Sequence, residues 1–244
     1  MKVYGNTDKG LRRSMNQDTL YFSCFSQKLA YAVVCDGMGG ERSGNVASQI
    51  TRDVIKAQLN EMIMDCTISE QSAPQAILQA IAKANTQVYE KSRSDAIYAG
   101  MGTTVVLALV VDDRCFIAHV GDSRAYLIGG GSISQLTVDH SLVQYLYDKG
   151  KLTVEEMASH PDKNKITRAV GVEPTVDVDL IEVEFGEGQV LLLCSDGLTN
   201  MCSDAEILTI ISKNEGNMIP LKLIQKANLA GGSDNITAAL IDKR

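Results

Sequence analysis

The chain of 244 residues opens with strand-like sequence and then changes to helical spacing. Apolar runs separated by a short polar turn predict strands at residues 19–25 and 28–35. Two segments follow in which apolar residues recur at helical spacing, and they predict helices that begin near Ser43 and near Pro74. The pattern therefore places a pair of helices after the first strands.

In the rest of the chain, runs of predicted strands again come before predicted helices. Further strands are predicted at residues 103–111, 115–120, 125–128, 132–136, 175–183, 189–194 and 236–241. Further helices are predicted at residues 141–158, 204–212 and 220–230. Helices inserted between runs of strands differ from the regular strand–helix alternation of a parallel sheet. We therefore expect an α+β fold in which antiparallel sheets pack face to face and helices cover the outside.

The composition is that of an ordinary globular protein, because 45% of the residues are hydrophobic and 22% are charged. These fractions exclude an intrinsically disordered chain. No linker rich in Pro, Gly or Ser, no low-complexity block and no internal repeat divides the sequence. We therefore expect a single domain over residues 1–244, which is long enough to bury a full core.

Charge and cysteine content narrow the class of protein further. Lys and Arg number 23 against 30 Asp and Glu, and the net charge of −7 argues against binding to nucleic acid through bulk positive charge. Six cysteines lie far apart without a CxxC pair, as in reduced cytosolic proteins. The N-terminus has no apolar signal-peptide core, and the longest apolar run, residues 105–111, is too short to span a bilayer. We expect a cytoplasmic monomer that does not bind membranes.

Aspartate stands at or near the end of a predicted strand in five short motifs. The motifs are MNQD (15–18), CDGMGG (35–40), GDSR (121–124), SDG (195–197) and GGSDNIT (231–237). A single Asp-Gly pair is more often a turn than a ligand, so one alternative is a β-rich domain with many such turns. Carboxylates that converge would repel one another unless cations lie between them, and hard oxygen ligands suit Mg²⁺ or Mn²⁺. The motifs together predict a site for such ions.

In this order, the motifs RRSMNQD, CDGMGG, GDSR, SDG and GGSDNIT resemble those of the protein phosphatase 2C family of metal-dependent Ser/Thr phosphatases, and most closely its compact bacterial members. The resemblance runs from Arg12 to Thr237. It implies a four-layer αββα sandwich, in which two antiparallel sheets lie between helix pairs, and a flap at about residues 137–175. It also implies hydrolysis of phosphoserine and phosphothreonine in proteins. The implied partners are a bacterial Ser/Thr kinase and its substrates.

The resemblance further implies a centre of two Mn²⁺ or Mg²⁺ ions at one end of the sandwich. By position in the motifs, Asp36 would bridge both ions and the carbonyl oxygen of Gly37 would bind one of them. Asp196 and Asp234 would complete the pair. Two such ions lower the pKa of a shared water and clamp the phosphoryl group, so hydroxide attacks phosphorus in line without a covalent intermediate.

Three other positions receive roles from the same resemblance. Asp18 would act mainly through metal-bound waters, and Asp122 would help Asp196 to hold a third, weaker ion. Arg13 matches the phosphate-binding arginine of the family, since its spacing to Asp18 favours it over the neighbouring Arg12. The fork of an arginine side chain can hold two phosphate oxygens at once.

Some positions depart from the pattern or carry no assigned role. Met38 stands where many eukaryotic relatives have a histidine that is thought to protonate the leaving group, so the general acid is unassigned. His119 and His140 are predicted to be structural, because histidines flanked by apolar residues are usually hydrogen-bonded parts of the scaffold. His160 falls in the predicted flap and is the one histidine placed to approach a substrate.

Two other functions compete with the phosphoprotein phosphatase hypothesis. One is a catalytically silent module that binds phosphoproteins, which tight phosphopeptide binding without turnover would favour. The other is a phosphatase for small phosphomonoesters or for a regulatory partner of the anti-sigma type. The complete set of expected aspartates favours the phosphoprotein phosphatase over the silent module, whereas only substrate profiling separates it from the other phosphatase.

Overall fold

Two antiparallel sheets form the centre of the molecule, which a computed structural model describes for residues 1–39 and 43–244. In spatial order, sheet I consists of β1 (Lys2–Asp8), β11 (Ile236–Asp242), β10 (Val190–Cys194), β7 (Arg124–Gly129) and β8 (Ser132–Gln135). Sheet II consists of β2 (Asp18–Cys24), β3 (Leu29–Met38), β5 (Val105–Val111), β6 (Arg114–Val120) and β9 (Asp179–Glu184), with the short β4 (Gly102–Thr103) paired to β3.

Helices cover the outer face of each sheet. The α-helices of the described residues are α1 (Gly44–Met64), α2 (Ala73–Ser94), α3 (Leu142–Asp148), α4 (Val154–Ser159), α5 (Asp196–Thr199), α6 (Asp204–Lys213) and α7 (Met218–Leu229). Helices α1 and α2 pack on sheet II, and α6 and α7 pack on sheet I. In the described part of the chain, no helix combines the length and apolar character needed to cross a membrane.

Three apolar layers hold the sheets and helices together. Between the sheets, side chains of β3 and β5 meet those of β10 and β11. The other two layers lie between each sheet and its helix pair. Every side chain of β5 is buried because both faces of this inner strand are covered, which explains its unbroken apolar sequence. The predicted α+β sandwich, with helix pairs outside two antiparallel sheets, is confirmed.

The first strand of sheet I was not predicted from the sequence. β1 forms an edge of the sheet and pairs with β11 at the other end of the chain, from Lys2 opposite Asp242 to Asp8 opposite Ile236. Its residues are half-buried and largely polar, so it shows little apolar pattern. Gly5 lies within it because a Cβ there would come within 2.6 Å of side-chain atoms of β2. Long-range pairing therefore decides this strand.

The helical region predicted at residues 141–158 is two short helices. α3 ends at Asp148, and Gly150 follows in the left-handed conformation with φ of 66°. α4 begins after Thr153, whose hydroxyl accepts a hydrogen bond from Glu156 N, while the Glu156 carboxylate accepts one from Thr153 N. Helical spacing alone predicts one helix here, because it does not take account of the stop signal at Gly150 or the start signal at Thr153.

The strand predicted at residues 175–183 is shorter and lies later in the chain. Residues 175–178 are not part of a strand, and β9 begins at Asp179. Val176 and Val178 instead pack against the core beneath α1 and α2. These two valines are apolar because of this packing, so the prediction of a strand at residues 175–178 is wrong.

One buried side chain holds the C-terminal end of the predicted flap against α2. The Asn85 amide nitrogen donates to the carbonyl oxygens of Glu173 (3.0 Å) and Pro174 (3.1 Å), and its Oδ1 accepts from Gly171 N (2.7 Å). Gly171 has a φ of 89°, and a Cβ there would lie 2.0 Å from Val88 Cγ1. The backbone at Gly171 can therefore come this close to α2 only because glycine has no side chain.

Replacing Asn85 with Leu is expected to lower the free energy of unfolding by about 2–4 kcal/mol, because three main-chain groups lose their partner in a buried place. Urea denaturation monitored by circular dichroism measures the loss. Gln87→Leu, at an exposed position of the same helix, is the matched control and should change stability by less than about 0.5 kcal/mol. Equal effects of the two substitutions would contradict this assignment.

Candidate metal and phosphate site

A cavity of about 230 Å³ lies where β3 and β10 end and β11 begins. We call it the carboxylate pocket. Its lining consists of Arg13, Gln17, Asp36, Gly37, Met38, Gly39, Thr104, Asp122, Asn164, Ile166, Asp196, Asp234 and Asn235. The fold thus brings all the sequence-predicted site residues except Asp18 to one cavity, although they are spread over most of the chain.

Main-chain hydrogen bonds hold Asp36 at the pocket end of β3. Asp36 N donates to Thr104 Oγ1 (3.0 Å), and Asp36 O accepts from Thr104 N and from Thr103 Oγ1, both at 2.8 Å. In the β2–β3 register, Asp36 lies opposite Asp18. Strand pairing therefore delivers two carboxylates to the same end of sheet II, as expected for residues directly opposite each other.

Asp18 lies buried behind the pocket. Its Oδ2 accepts hydrogen bonds from Ser195 Oγ (2.7 Å) and from Thr237 Oγ1 (2.6 Å). These bonds join β2 in sheet II to the ends of β10 and β11 in sheet I. Ser195 and Thr237 are not among the predicted site residues, although both belong to the quoted motifs, SDG and GGSDNIT.

Asp196 and Asp234 enter the pocket from neighbouring strand ends. Asp196 is the first residue of α5, and its Oδ2 accepts from Asn200 Nδ2 (2.9 Å). Asp234 precedes β11, and its Oδ1 accepts from Asn235 N (2.8 Å). Gly197 follows Asp196, and a Cβ there would lie 1.9 Å from Asn235 O. The close approach of α5 to the start of β11 therefore requires glycine.

Arg13 reaches the pocket from a loop that Asn235 fastens. The Asn235 amide nitrogen donates to Lys9 O and Met15 O, each at 2.9 Å, and its Oδ1 accepts from Gln17 N (2.8 Å). Arg13 NH2 then lies 2.7 Å from Asp234 Oδ2, with 54% of the arginine side chain exposed. Arg13 lines the pocket and Arg12 does not, so the structure distinguishes the two arginines that the sequence left as alternatives.

Gly37 and Asp122 both line the pocket. A Cβ on Gly37 would lie 2.2 Å from Gly44 O and 2.7 Å from Gln17 O, so only glycine fits between these segments. Asp122 stands in a turn whose next side chain, Ser123 Oγ, lies 2.7 Å from Thr104 Oγ1. Thr104 thus contacts the main chain of Asp36 on one side and the Asp122 turn on the other.

The arginine of the GDSR motif is not in the carboxylate pocket. Arg124 makes two hydrogen bonds with Asp139, from Nε to Oδ1 (2.8 Å) and from NH2 to Oδ2 (2.6 Å). A paired fork of this kind is geometrically specific. It ties the turn at residues 121–124 to the beginning of the predicted flap.

Removal from water and mutual repulsion raise the pKa of the carboxylates. Burial raises the pKa of Asp196 to about 6, of Asp18 to about 7 and of Asp122 to about 8. Burial also raises the pKa of Asp36 well above its ordinary value, and the charges of Asp18 and Asp196 raise it further. Acidic groups whose ionised forms are so disfavoured would gain from a shared cation.

The residues of the pocket fit a hard divalent cation. The Oδ1 atoms of Asp18 and Asp196 are buried and have no hydrogen-bond donor. Within residues 1–39 and 43–244, no three His, Cys, Asp or Glu side chains form a metal-binding group by themselves. Mg²⁺ keeps several of its waters and takes few protein ligands. The oxygen donors here therefore suit an ion that retains part of its water shell.

Comparison with known proteins decides the family. A model of the protein phosphatase 2C family matches residues 11–214, a span that contains Arg13, Asp36, Asp122 and Asp196. The chain belongs to the protein phosphatase 2C family. Members of this family are hydrolases, and this protein is an enzyme of that class.

Individual phosphatases of the family match this chain along its whole length. The serine/threonine phosphatase stp of Listeria innocua is 39% identical to it over 97% of this chain and 94% of the relative. The S. agalactiae serine/threonine phosphatase has a TM-score of 0.88 at 38% identity, covering 100% of this chain and 99% of that one. The catalytic domain of PstP, solved in complex with two manganese ions, has a TM-score of 0.86 at 31% identity, covering 99% and 97%.

The pocket lining includes one of the non-acidic residues singled out in the sequence and excludes two of the histidines. Met38 lines the carboxylate pocket and has no proton to donate. His119 and His140 are buried outside the pocket lining, with ring centroids 4.5 Å apart. Asn164 and Ile166 line the pocket from the predicted flap, and neither belongs to a motif that marks it as a site residue.

For the phosphatase freed of cations with EDTA, we expect thermal stability to fall as the pH rises from 5.5 to 8. A carboxyl group whose folded pKa is raised stabilises the fold fully below its unfolded pKa of 3.8, and this contribution is lost as pH rises through the folded pKa, here about 6 to 8. Cations bind the ionised carboxylates, so the increase in Tm caused by Mg²⁺ or Mn²⁺ should grow over the same range. Differential scanning fluorimetry measures both trends.

The variant Asp122→Asn is the control for this pH dependence. It removes a titrating group whose pKa is raised by burial to about 8, so its Tm without cations should fall less between pH 7 and 8. A cation-induced increase in Tm that is the same at pH 5.5 and at pH 8 would contradict the expectation.

Proposed function

We propose that this enzyme hydrolyses phosphoserine and phosphothreonine in proteins with two Mn²⁺ or Mg²⁺ ions in the carboxylate pocket. Asp36 and the Gly37 carbonyl oxygen would hold the ions, together with Asp196 and Asp234. The observation that carries the proposal is the convergence of these groups and Arg13 on one cavity. The substrates would be the products of a Ser/Thr kinase, and residues 1–244 would act as one catalytic domain with a flap at about 137–175.

Arg13 is the proposed phosphate-binding group. Its guanidinium lies at the pocket, and it is half-exposed, so a phosphate can reach it from solvent. A guanidinium can donate two parallel hydrogen bonds to a phosphate, whereas a lysine ammonium acts as a point charge. The Asn235 bonds fix the loop that carries Arg13, and the guanidinium itself donates to Asp234 Oδ2.

The remaining carboxylates support this centre. Bound dications would supply the charge neutralisation and the lowered water pKa that phosphomonoester hydrolysis requires. Asp18 can orient the waters of the centre because its free Oδ1 faces no protein donor while Ser195 and Thr237 fix its Oδ2. Asp122 and Asp196 would take a third, weaker ion.

Phosphatase assays with and without metal test the proposal. We expect turnover of p-nitrophenyl phosphate and of phosphothreonine and phosphoserine peptides with Mn²⁺, and loss of turnover with EDTA that Mn²⁺ restores. Arg13→Lys should raise KM for the peptides by about 10-fold or more, because one of two charge-assisted hydrogen bonds is lost. Turnover that is insensitive to EDTA would overturn the proposal. Tight peptide binding without turnover would show a phosphoprotein-binding module instead.

A further inference from the structure

His140 holds the turn that carries Asp122. His140 N donates to Gly121 O (2.7 Å), and Gly121 N donates back to His140 Nδ1 (3.1 Å). Gly121 has a φ of 108°, and a Cβ there would lie 2.6 Å from Thr104 Cγ2. Asp122 follows directly and lines the carboxylate pocket. The direction of the Asp122 side chain therefore depends on a backbone position that His140 fixes.

Two charged residues hold the other edge of the His140 ring. Because Nδ1 accepts the bond from Gly121, the ring hydrogen is on Nε2, which lies 3.2 Å from Asp179 Oδ2. Arg168 NH1 donates to Asp179 Oδ1 (2.6 Å) and lies 3.1 Å from His140 Nε2. The Asp179 carboxylate thus accepts one hydrogen bond from the neutral imidazole and one from the Arg168 guanidinium, and so orients the imidazole.

The surroundings of His140 favour its neutral form, which the bond from Gly121 requires. The His119 ring lies against it, is wholly buried, and has no hydrogen-bond partner on either nitrogen. Burial lowers the pKa of His140 and lowers that of His119 to about 4. Protonation of Nδ1 would replace the bond from Gly121 N by a contact between two donors.

The same residues join the two ends of the predicted flap. His140 O accepts from Thr167 N (2.8 Å), and Ser141 pairs with Ile166 in an isolated bridge. Arg168 follows this pairing and reaches back to Asp179 at the start of β9. The base of the flap and the Asp122 turn therefore share one hydrogen-bonded unit.

We propose that His140 is a positioning residue, which sets the Asp122 carboxylate through the Gly121 backbone and is itself held by Asp179 and Arg168. The inference rests on the proposed function, because it takes Asp122 to be a cation ligand. Loss of the ring would remove the hydrogen-bond acceptor of Gly121 N, and the Asp122 side chain could then turn away from its present orientation. Cation binding would then weaken at the step that involves Asp122, while Asp36 and Asp234 keep their own supports.

Isothermal titration of Mn²⁺ into the whole protein tests this role directly. His140→Leu keeps most of the volume and removes the acceptor, whereas His140→Asn offers Oδ1 as an acceptor for Gly121 N. We expect His140→Leu to weaken the weakest Mn²⁺-binding step by about 10- to 100-fold, as for other residues that orient a ligand. His140→Asn should bind Mn²⁺ within about 3-fold of the wild-type protein.

The Asp122→Ala background separates positioning from general support of the fold. If His140 acts through Asp122, His140→Leu should cause no further loss of Mn²⁺ binding when Asp122 is already absent. His160→Leu is the matched control, since His160 bonds within the flap to Asp162 N and does not touch Gly121. It should leave Mn²⁺ binding unchanged.

Several results would overturn the inference. One is an equal loss from His140→Leu with and without Asp122; another is a lower Tm with unaltered Mn²⁺ binding. If His140→Leu does not fold, Asp179→Asn tests the same hydrogen-bonded group at a half-exposed position. It should weaken the weakest Mn²⁺-binding step by about 3-fold or more, and unaltered Mn²⁺ binding would again overturn the inference. Absence of Mn²⁺ binding or of turnover in the wild-type protein would instead be a failure of the proposed function.

Discussion

Replacing Asp36 with Asn is expected to reduce the rate of phosphomonoester hydrolysis by about 10³-fold, equivalent to about 4 kcal/mol of transition-state stabilisation. Asp36 is the carboxylate proposed to bridge both ions, and its main chain is fixed by three hydrogen bonds to Thr103 and Thr104. An amide keeps the shape of the side chain and removes the charge that binds the cations. Turnover of p-nitrophenyl phosphate at saturating Mn²⁺ measures the loss.

The same variant should have an opposite effect on the protein without cations. Burial and the charges of Asp18 and Asp196 disfavour ionised Asp36, so at pH 8 the neutral Asn should leave the Tm in EDTA equal to or above that of the wild-type protein. Mn²⁺ should then add little to the Tm. Together the two measurements distinguish loss of a ligand from loss of the fold.

Asp53→Asn is the control for charge removal, because Asp53 is exposed on α1 away from the pocket. Its activity should stay within about 2-fold of the wild-type value, as for most surface substitutions. Retention of more than a tenth of the activity in Asp36→Asn, with a normal Mn²⁺-induced rise in Tm, would contradict the role given to Asp36.

Gly197→Ala is expected to reduce activity by about 100-fold although it removes no polar atom. The added Cβ would lie 1.9 Å from Asn235 O and 3.4 Å from Asp234 Cβ, so α5 and the start of β11 must move apart. That movement separates Asp196 from Asp234, and a displacement of about 1 Å at a catalytic group costs about 10²-fold in rate. Crowding of the backbone should also lower the free energy of unfolding by about 1–3 kcal/mol.

Assays of turnover, Mn²⁺ binding and urea denaturation on one preparation test this expectation. Gly186→Ala is the matched control, since the nearest atom to its added Cβ would be Gln189 Oε1 at 4.0 Å. It should alter neither activity nor Mn²⁺ binding. If Gly197→Ala binds Mn²⁺ as tightly as the control does, the spacing of α5 and β11 is not what sets the site.

Much of the site could be predicted because the motifs are local. Asp36, Asp196 and Asp234 each stand at a strand end beside glycine or a polar turn residue, so their type and neighbours mark them without knowledge of the fold. Residues that hold the site aspartates by hydrogen bonds from distant parts of the chain have no such local signal in the sequence. Ser195 and Thr237 bond Asp18 across two sheets, and small hydroxyl side chains at strand ends are common for many reasons.

The fold shows the same division between local and long-range information. Strands with an unbroken apolar run, such as β5, and helices with strong periodicity are evident from the sequence, since burial on a defined face imposes the pattern. β1 was missed because an edge strand with half-buried polar residues owes its structure to pairing with β11. The helix predicted across Gly150 is too long because the prediction follows the helical spacing and ignores the helix-ending glycine.

The class of fold, the family resemblance and the set of acidic residues can be predicted from the 244 residues alone, because each depends on residue types at short spacing. That Arg13 lines the pocket while Arg12 does not, and that Asp18 lies buried behind it, is known only from the three-dimensional structure. It alone joined His140 to Gly121 and Arg168 to Asp179. The physical reason is that hydrogen bonds between distant segments depend on how sheets and loops pack, which a linear pattern of polar and apolar residues does not specify.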